Sequence, residues 1–274
     1  MEASDVRAFL AGLDDEAPDT HGLSRVRFAL ETLGRPDVRY LVAAVVGDGA
    51  STVARCARAV LEAAGAPTQL MTDGVQGVIG LLDEPLLARA GTLAAASFYQ
   101  QQASHPELGE MRRREMAVVI GLVAFAETNA RVALLLDPRV IPDEPSHAPA
   151  PDLVVLGRLD KPGLERAMTM LARGRPAVAA PQSPDVRACL ERAAPDRGVP
   201  LLLGDRDFAV TSDGPRMALR VGDESYEDLD HAVDADDELV GTGFAAALAL
   251  GVLGIRMRPE WVHAGARVSA GVAK

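Results

Sequence analysis

Val42-Ala43-Ala44-Val45-Val46-Gly47-Asp48-Gly49-Ala50-Ser51-Thr52-Val53-Ala54-Arg55 reads as an apolar run, a glycine turn and the start of a helix. Strand, glycine loop and helix N-terminus in that order form the setting of a phosphate-binding loop. There the glycines let backbone N–H groups approach phosphate, and the lysine of G-x-x-x-x-G-K-[ST] neutralises its oxygens. Here the glycine turn is present and the lysine is not. The stretch predicts a buried strand over Tyr40–Val46 and a helix over Ser51–Ala64, capped by Ser51 or Thr52 and followed by Gly65. A plain strand-to-helix turn is the simpler reading of Gly47–Gly49.

Outward from that stretch, strands and helices alternate. Upstream, Leu23, Val26, Leu30 and Leu33 fall at helical spacing and are closed by Gly34 and Pro36. Downstream, Met111–Glu127 predicts a long helix, and Val132–Leu136 is an all-apolar run of the kind found in interior parallel strands. The pattern then predicts strands at Leu153–Leu156, Ala177–Ala180 and Leu201–Leu203, with helices over Gly163–Ala172 and Pro184–Ala194 between them. Alternation of this kind implies parallel βαβ units, with ligands at the carboxyl ends of the strands. Pro138–Pro151 carries five prolines and predicts a loop. Asp205–Glu238, polar and acidic, predicts a small β-meander. Helices over Gly243–Leu253 and Pro259–Val268 end the chain, with Pro259 suited to a first helical turn.

The 274 residues carry 28 Lys and Arg against 39 Asp and Glu, a formal net charge of -11. Such a balance repels phosphates and argues against a nucleic-acid groove or an anionic membrane surface. No apolar run reaches the ~18 residues of a membrane span. The N-terminus, Met1-Glu2-Ala3-Ser4-Asp5, lacks a basic and apolar leader pattern. Cys56 and Cys189 lie in helical patterns without metal or CxxC spacing, which fits a reducing cytoplasm and supports neither a zinc site nor a disulfide framework.

Several pieces, in order, carry a family resemblance. Gly22-Leu23-Ser24-Arg25-Val26-Arg27 and Leu30-Glu31-Thr32-Leu33-Gly34-Arg35-Pro36 precede the strand that enters Gly47–Thr52. Gly174-Arg175-Pro176-Ala177-Val178-Ala179-Ala180-Pro181-Gln182 follows, then Gly204-Asp205-Arg206-Asp207-Phe208, then Ala245-Ala246-Ala247-Leu248-Ala249-Leu250-Gly251-Val252-Leu253-Gly254-Ile255. Together they resemble the folylpolyglutamate synthases of the Mur ligase superfamily. The resemblance implies one α/β domain of three-layer, P-loop type, with a mainly parallel sheet. N-terminal helices would occupy residues 1–38, a small β insertion residues 205–240 and C-terminal helices residues 241–274. The family continues past this point into a C-terminal domain that the resemblance implies is absent here. ATP and Mg2+ are the cofactors the resemblance implies.

Departures from the family pattern fall on its working residues. Against "G-T-N-G-K-G-S-T", Gly49 stands in the lysine's place and Asp48 adds negative charge at a helix N-terminus, where an anion is normally favoured by only about 0.3–1 kcal/mol. The strand-ending glutamate is replaced by leucine in Leu134-Leu135-Leu136, with Asp137 one residue late and on the other side of the pleat. The histidine of "I-G-x-D-H" gives way to lysine in Leu156-Gly157-Arg158-Leu159-Asp160-Lys161. Arg166-Ala167-Met168-Thr169-Met170 has no counterpart of the carbamylated lysine, and Met71-Thr72-Asp73-Gly74-Val75 none of the pterin-side loop.

The candidate binding residues are therefore the altered loop Gly47, Asp48, Gly49, Ala50, Ser51 and Thr52, with Asp137, Asp160 and Lys161 as further cleft groups; no catalytic or metal set is assigned. Arg112-Arg113-Arg114 between Glu110 and Glu115 predicts a solvated helix face. The five histidines, His21, His105, His147, His231 and His263, have no metal spacing, and the acidic run Asp223–Glu238 lacks a calcium-loop pattern. Trp261 and Phe244 are expected to pack core helices. Three functions remain open: a degenerate binding or assembly component, acting as a homodimer or beside a ligase-like partner; an ATP-dependent amide ligase completed by a partner chain; and a small-ligand module without chemistry.

Overall fold

The computed structural model describes residues 1–14, 22–72, 77, 80, 82–136, 151–172, 174–230, 235–255 and 257–271. Asp137, His21, His147, His231, residues 73–75 and the proline-rich stretch 138–150 lie outside the described residues. The helices are α1 (Ala3–Gly12), α2 (Gly22–Thr32), α3 (Ala50–Ala63), α4 (Glu84–Ser104), α5 (Arg113–Glu127), α6 (Lys161–Met170), α7 (Pro184–Asp196), α8 (Asp237–Val252) and α9 (Pro259–Ser269). The strands are β1 (Leu41–Val46), β2 (Thr68–Thr72), β3 (Val132–Leu136), β4 (Leu153–Leu156), β5 (Ala177–Ala179), β6 (Leu201–Leu203), β7 (Phe208–Asp213), β8 (Arg216–Val221) and β9 (Glu224–Asp230).

One sheet has the order β2-β3-β1-β4-β5-β6, so the strand from the opening stretch is internal, as its unbroken apolar sequence requires. The pairs β1–β4, β4–β5 and β5–β6 are parallel. A second, antiparallel sheet β7-β8-β9 is the expected meander. The acidic residues that end the meander's stretch in sequence belong elsewhere, because Asp237 and Glu238 form the first turn of α8.

The chain divides into two compact units, each built from two separate stretches: residues 1–42 with 69–149, and residues 43–68 with 150–274. In the first, α1, α2, α4 and α5 bury Val6, Leu10, Val26, Leu30, Leu87, Met116, Ile120 and Leu122 in one cluster. Arg113 donates to the carbonyls of Leu10, Ala11 and Leu13, closing the C-terminus of α1. The solvated arginine face expected here holds for Arg114, which is exposed, and fails for its neighbours: Arg113 caps a neighbouring helix, and Glu115 is buried and paired with Arg25.

In the second unit α3 packs tightly on α8 and α9 through glycine. A β-carbon at Gly243 would lie 2.5 Å from the Val53 carbonyl oxygen, and one at Gly265 would lie 2.5 Å from Val60 Cα. Phe244 is fully buried as expected. Trp261 is not a core residue: it is half-buried, with the Arg258 guanidinium 5.2 Å from its ring centre. Cys56 sits inside this helix packing, and burial pushes its thiol up to about 11, whereas Cys189 is exposed. A maleimide or disulfide reagent at neutral pH should therefore modify one thiol per native chain, at Cys189, and two after denaturation, because the reacting species is the thiolate. Rapid labelling of Cys56 in the native protein would show that the α3 packing opens.

Candidate functional site

The carboxyl ends of β1 and β4 are joined by main-chain pairing. Gly47 and Gly49 both have left-handed φ, +101° and +77°, a region that glycine enters at little cost. This turns the chain so that Asp48 N–H donates to the Arg158 carbonyl at 2.8 Å and Arg158 N–H to the Asp48 carbonyl at 3.1 Å. Gly157 N–H donates to the Val46 carbonyl at 2.7 Å. The loop after β1 and the loop after β4 thus form a short antiparallel bridge.

Each loop glycine is covered by the chain itself. A β-carbon at Gly47 would lie 2.7 Å from the Arg158 carbonyl oxygen and 2.9 Å from Leu159 Cδ2. One at Gly49 would lie 2.1 Å from Leu239 Cδ1, and one at Gly157 2.2 Å from the Asp48 carbonyl oxygen. The glycines thus permit close approach of the protein's own segments, the role that a ligand's phosphates have in a nucleotide loop.

Gly49 is the N-cap of α3 and Ala50 its first residue, with no side chain capping the helix. The expected capping by Ser51 or Thr52 is overturned: both lie inside the first turn, past the position from which a hydroxyl reaches the N2 or N3 amide. No cation lies between Gly47 and Ala54 in the sequence. The nearest following cation, Arg55, is a turn into α3 and exposed.

Among the described residues Arg158 is the cation that forms the bridge, and it is engaged. Its guanidinium binds both Asp236 oxygens, and Nη2 also donates to Glu238 Oε2 at 2.6 Å. Hydrogen bonds to the two carboxylates hold Arg158 charged well above its usual range. Burial opposes ionisation of Asp236, but its bonds with Arg158 and the Leu239 N–H prevail, and the carboxyl sits below the usual carboxylate range. Asp236 is also the N-cap of α8.

Of the other cleft candidates, Asp160 caps α6 by accepting from Gly163 N–H at 2.7 Å, and Lys161 is the exposed first residue of that helix. Gln182 binds the loop after β4 to that after β5: its Oε1 accepts from Leu159 N–H, and its Nε2 donates to the Gly157 and Ala180 carbonyls. Sequence reasoning missed Arg158, Asp236, Glu238 and Leu239 as a group. The signal for Arg158 was its position directly after a strand-ending glycine; nothing local ties it to the other three, about 80 residues on. Among the described residues no group of three or more His, Cys, Asp or Glu can hold a metal ion, and no helix is long and apolar enough to cross a membrane.

No protein-family model matches the chain, and no curated protein matches it in sequence. Solved structures do. The apo form of the L. casei FPGS matches at TM-score 0.83 and 19% identity, over 98% of this chain and 72% of that one. A complex of FPGS with AMPPCP and folate matches at TM-score 0.82 and 19% identity, over the same shares of the two chains. A Mycobacterium tuberculosis folylpolyglutamate synthase complexed with ADP matches at TM-score 0.78 and 19% identity, over 99% of this chain and 66% of that one. The fold is that of the folylpolyglutamate synthases.

Proposed function

We propose that the chain is a ligase-fold protein that has left nucleotide chemistry and acts as a cytoplasmic binding or assembly component. The observation that supports this is the loop: Gly47 and Gly49 are packed against Arg158, Leu159 and Leu239, and no cation stands where a phosphate loop needs one. In phosphoryl transfer the lysine and the metal neutralise charge that develops on the transferred group. Without the lysine, an electrostatic contribution of several kcal/mol is forgone. Asp48, exposed on the same turn, adds repulsion.

Calorimetric titration with magnesium-ATP tests this. The expected result is no saturable heat at millimolar nucleotide and no rise in Tm, since a ligand well below its Kd contributes almost nothing to stability. A dissociation constant in the low micromolar range overturns the reading. The assembly half predicts a second copy of the chain or a ligase-like subunit as the partner. Light scattering that gives a dimer supports it, and a monomer that finds no such subunit in its native extract counts against it.

A second reading has one observation in its favour. Two of the structural neighbours were solved as complexes with AMPPCP or ADP, so an ATP-dependent amide ligase completed by a partner chain is the alternative. It requires that magnesium-ATP bind when the partner is added, whatever the isolated chain does alone.

A further inference from the structure

The first turn of α8 meets the loop through Leu239 and through the ion pairs of Arg158. From Gly241 onward the helix is fixed: a β-carbon at Gly241 would lie 2.1 Å from Val210 Cγ2, and one at Gly243 2.5 Å from the Val53 carbonyl oxygen. Ahead of Gly241 polar attachments join the apolar ones. Arg158 binds Asp236 and Glu238, Ser212 Oγ hydrogen-bonds Asp237, Leu239 is buried against Gly49, and Val240 is buried beside the glycine-packed body. The Arg158, Asp236 and Glu238 side chains are 42%, 35% and 46% exposed, so their ion pairs are open to solvent and to screening by salt.

We infer that this turn is a latch: Arg158, with Asp236 and Glu238, holds residues 236–239 down, and Leu239 is the part that covers the loop at Gly49. The device goes beyond the proposed loss of nucleotide chemistry, because it makes closure of the loop a state that can be left. The planar guanidinium suits the task, since it engages both oxygens of Asp236 and still reaches Glu238, which a lysine ammonium cannot do in the same geometry. The hinge falls between the ion-paired turn and the glycine-packed body of α8. Opening exposes Leu239 and the Gly49 turn, while buried Val240, next to Gly241, stays with the body of the helix, as does the contact of α3 with Gly243. An anion competing for Arg158, or high salt, shifts the balance toward the open state.

Hydrogen exchange read by mass spectrometry, without nucleotide, tests the latch apart from the proposed function, which the magnesium-ATP titration of the wild type tests. In Arg158→Met, peptides covering residues 49–53 and 236–240 should exchange about tenfold faster or more, while β4 and β5 peptides keep their wild-type rates. Arg158→Lys should fall between the two. Raising sodium chloride from about 0.05 to 0.5 M, which shortens the screening length from more than 10 Å to a few ångströms, should accelerate the same two peptides in the wild type and have less effect in Arg158→Met. Leu239→Ala should free the 49–53 peptide and spare the ion pairs. Unchanged exchange at 49–53 in Arg158→Met overturns the proposal. Acceleration spread equally over β4 and β5 also overturns it, because the ion pairs would then stabilise the whole unit and not a latch.

Discussion

Arg25→Met should destabilise the protein by about 3–5 kcal/mol, the cost of leaving one charge of a buried pair without its partner. In a protein of this size that lowers Tm on the order of 10 °C. Both side chains are withdrawn from water, at 0% and 2% exposure. Arg25 Nε and Nη2 donate to the two Glu115 oxygens at 2.7 and 2.6 Å, and Nη1 donates to the Leu108 carbonyl at 2.9 Å. Glu115 also accepts from the Arg112 N–H, holding the start of α5. Substituting methionine keeps the length of the stem and removes the charge, so the carboxylate must take up a proton or draw in water. The double variant Arg25→Met/Glu115→Leu should recover most of the loss, because a buried pair replaced by apolar side chains is often near neutral in stability. Urea unfolding followed by circular dichroism measures both. A loss below about 1 kcal/mol in the single variant would mean that the pair is solvated.

That pair also shows where sequence reading stops. The buried positions of α2 include Val26, Ala29 and Leu30, and Arg25 flanks that stripe, 90 residues from its partner. A charge at the edge of an apolar stripe and a glutamate after three arginines each read as surface when taken alone. Their burial is set by tertiary pairing, which no window of sequence contains. The strands β1, β3 and β4 were legible because their apolar runs are continuous, and the meander because short alternating pieces are separated by turns. α4 was not, although it is 21 residues long. Its buried face is made partly of Ala90, Gly91, Ala94, Ala95, Ser97 and Gln101, so the contrast between its faces is weak. β2, Thr68–Thr72, is short, half-polar and at the edge of the sheet. At the site, the lack of a cation between Gly47 and Ala54 was legible in the sequence. What covers the loop was not, because Arg158 meets Asp236 across 78 residues.

Gly157→Ala separates a self-paired turn from a ligand loop. The added methyl group would lie 2.2 Å from the Asp48 carbonyl oxygen and 3.4 Å from that of Val46, both main-chain atoms that cannot swing aside as a side chain would. Gly157 is not in the left-handed region, so the cost is steric. The bridge between Asp48 and Arg158 must open or shift, and the expected loss is about 1–3 kcal/mol, typical of overpacking in a close-packed region. Gly12→Ala provides the control. It ends α1 with nothing within 4 Å of its added carbon, and alanine there should be neutral or stabilising by up to about 1 kcal/mol. If the loop's function is to pair with the chain itself, Gly157→Ala lowers Tm by the same amount with and without magnesium-ATP. If the loop holds phosphate, nucleotide stabilises the wild type and loses that effect in the variant, because the displaced Asp48 turn carries the amides that would bind it. Equal shifts support the closed turn; a nucleotide-dependent difference returns the loop to phosphate binding.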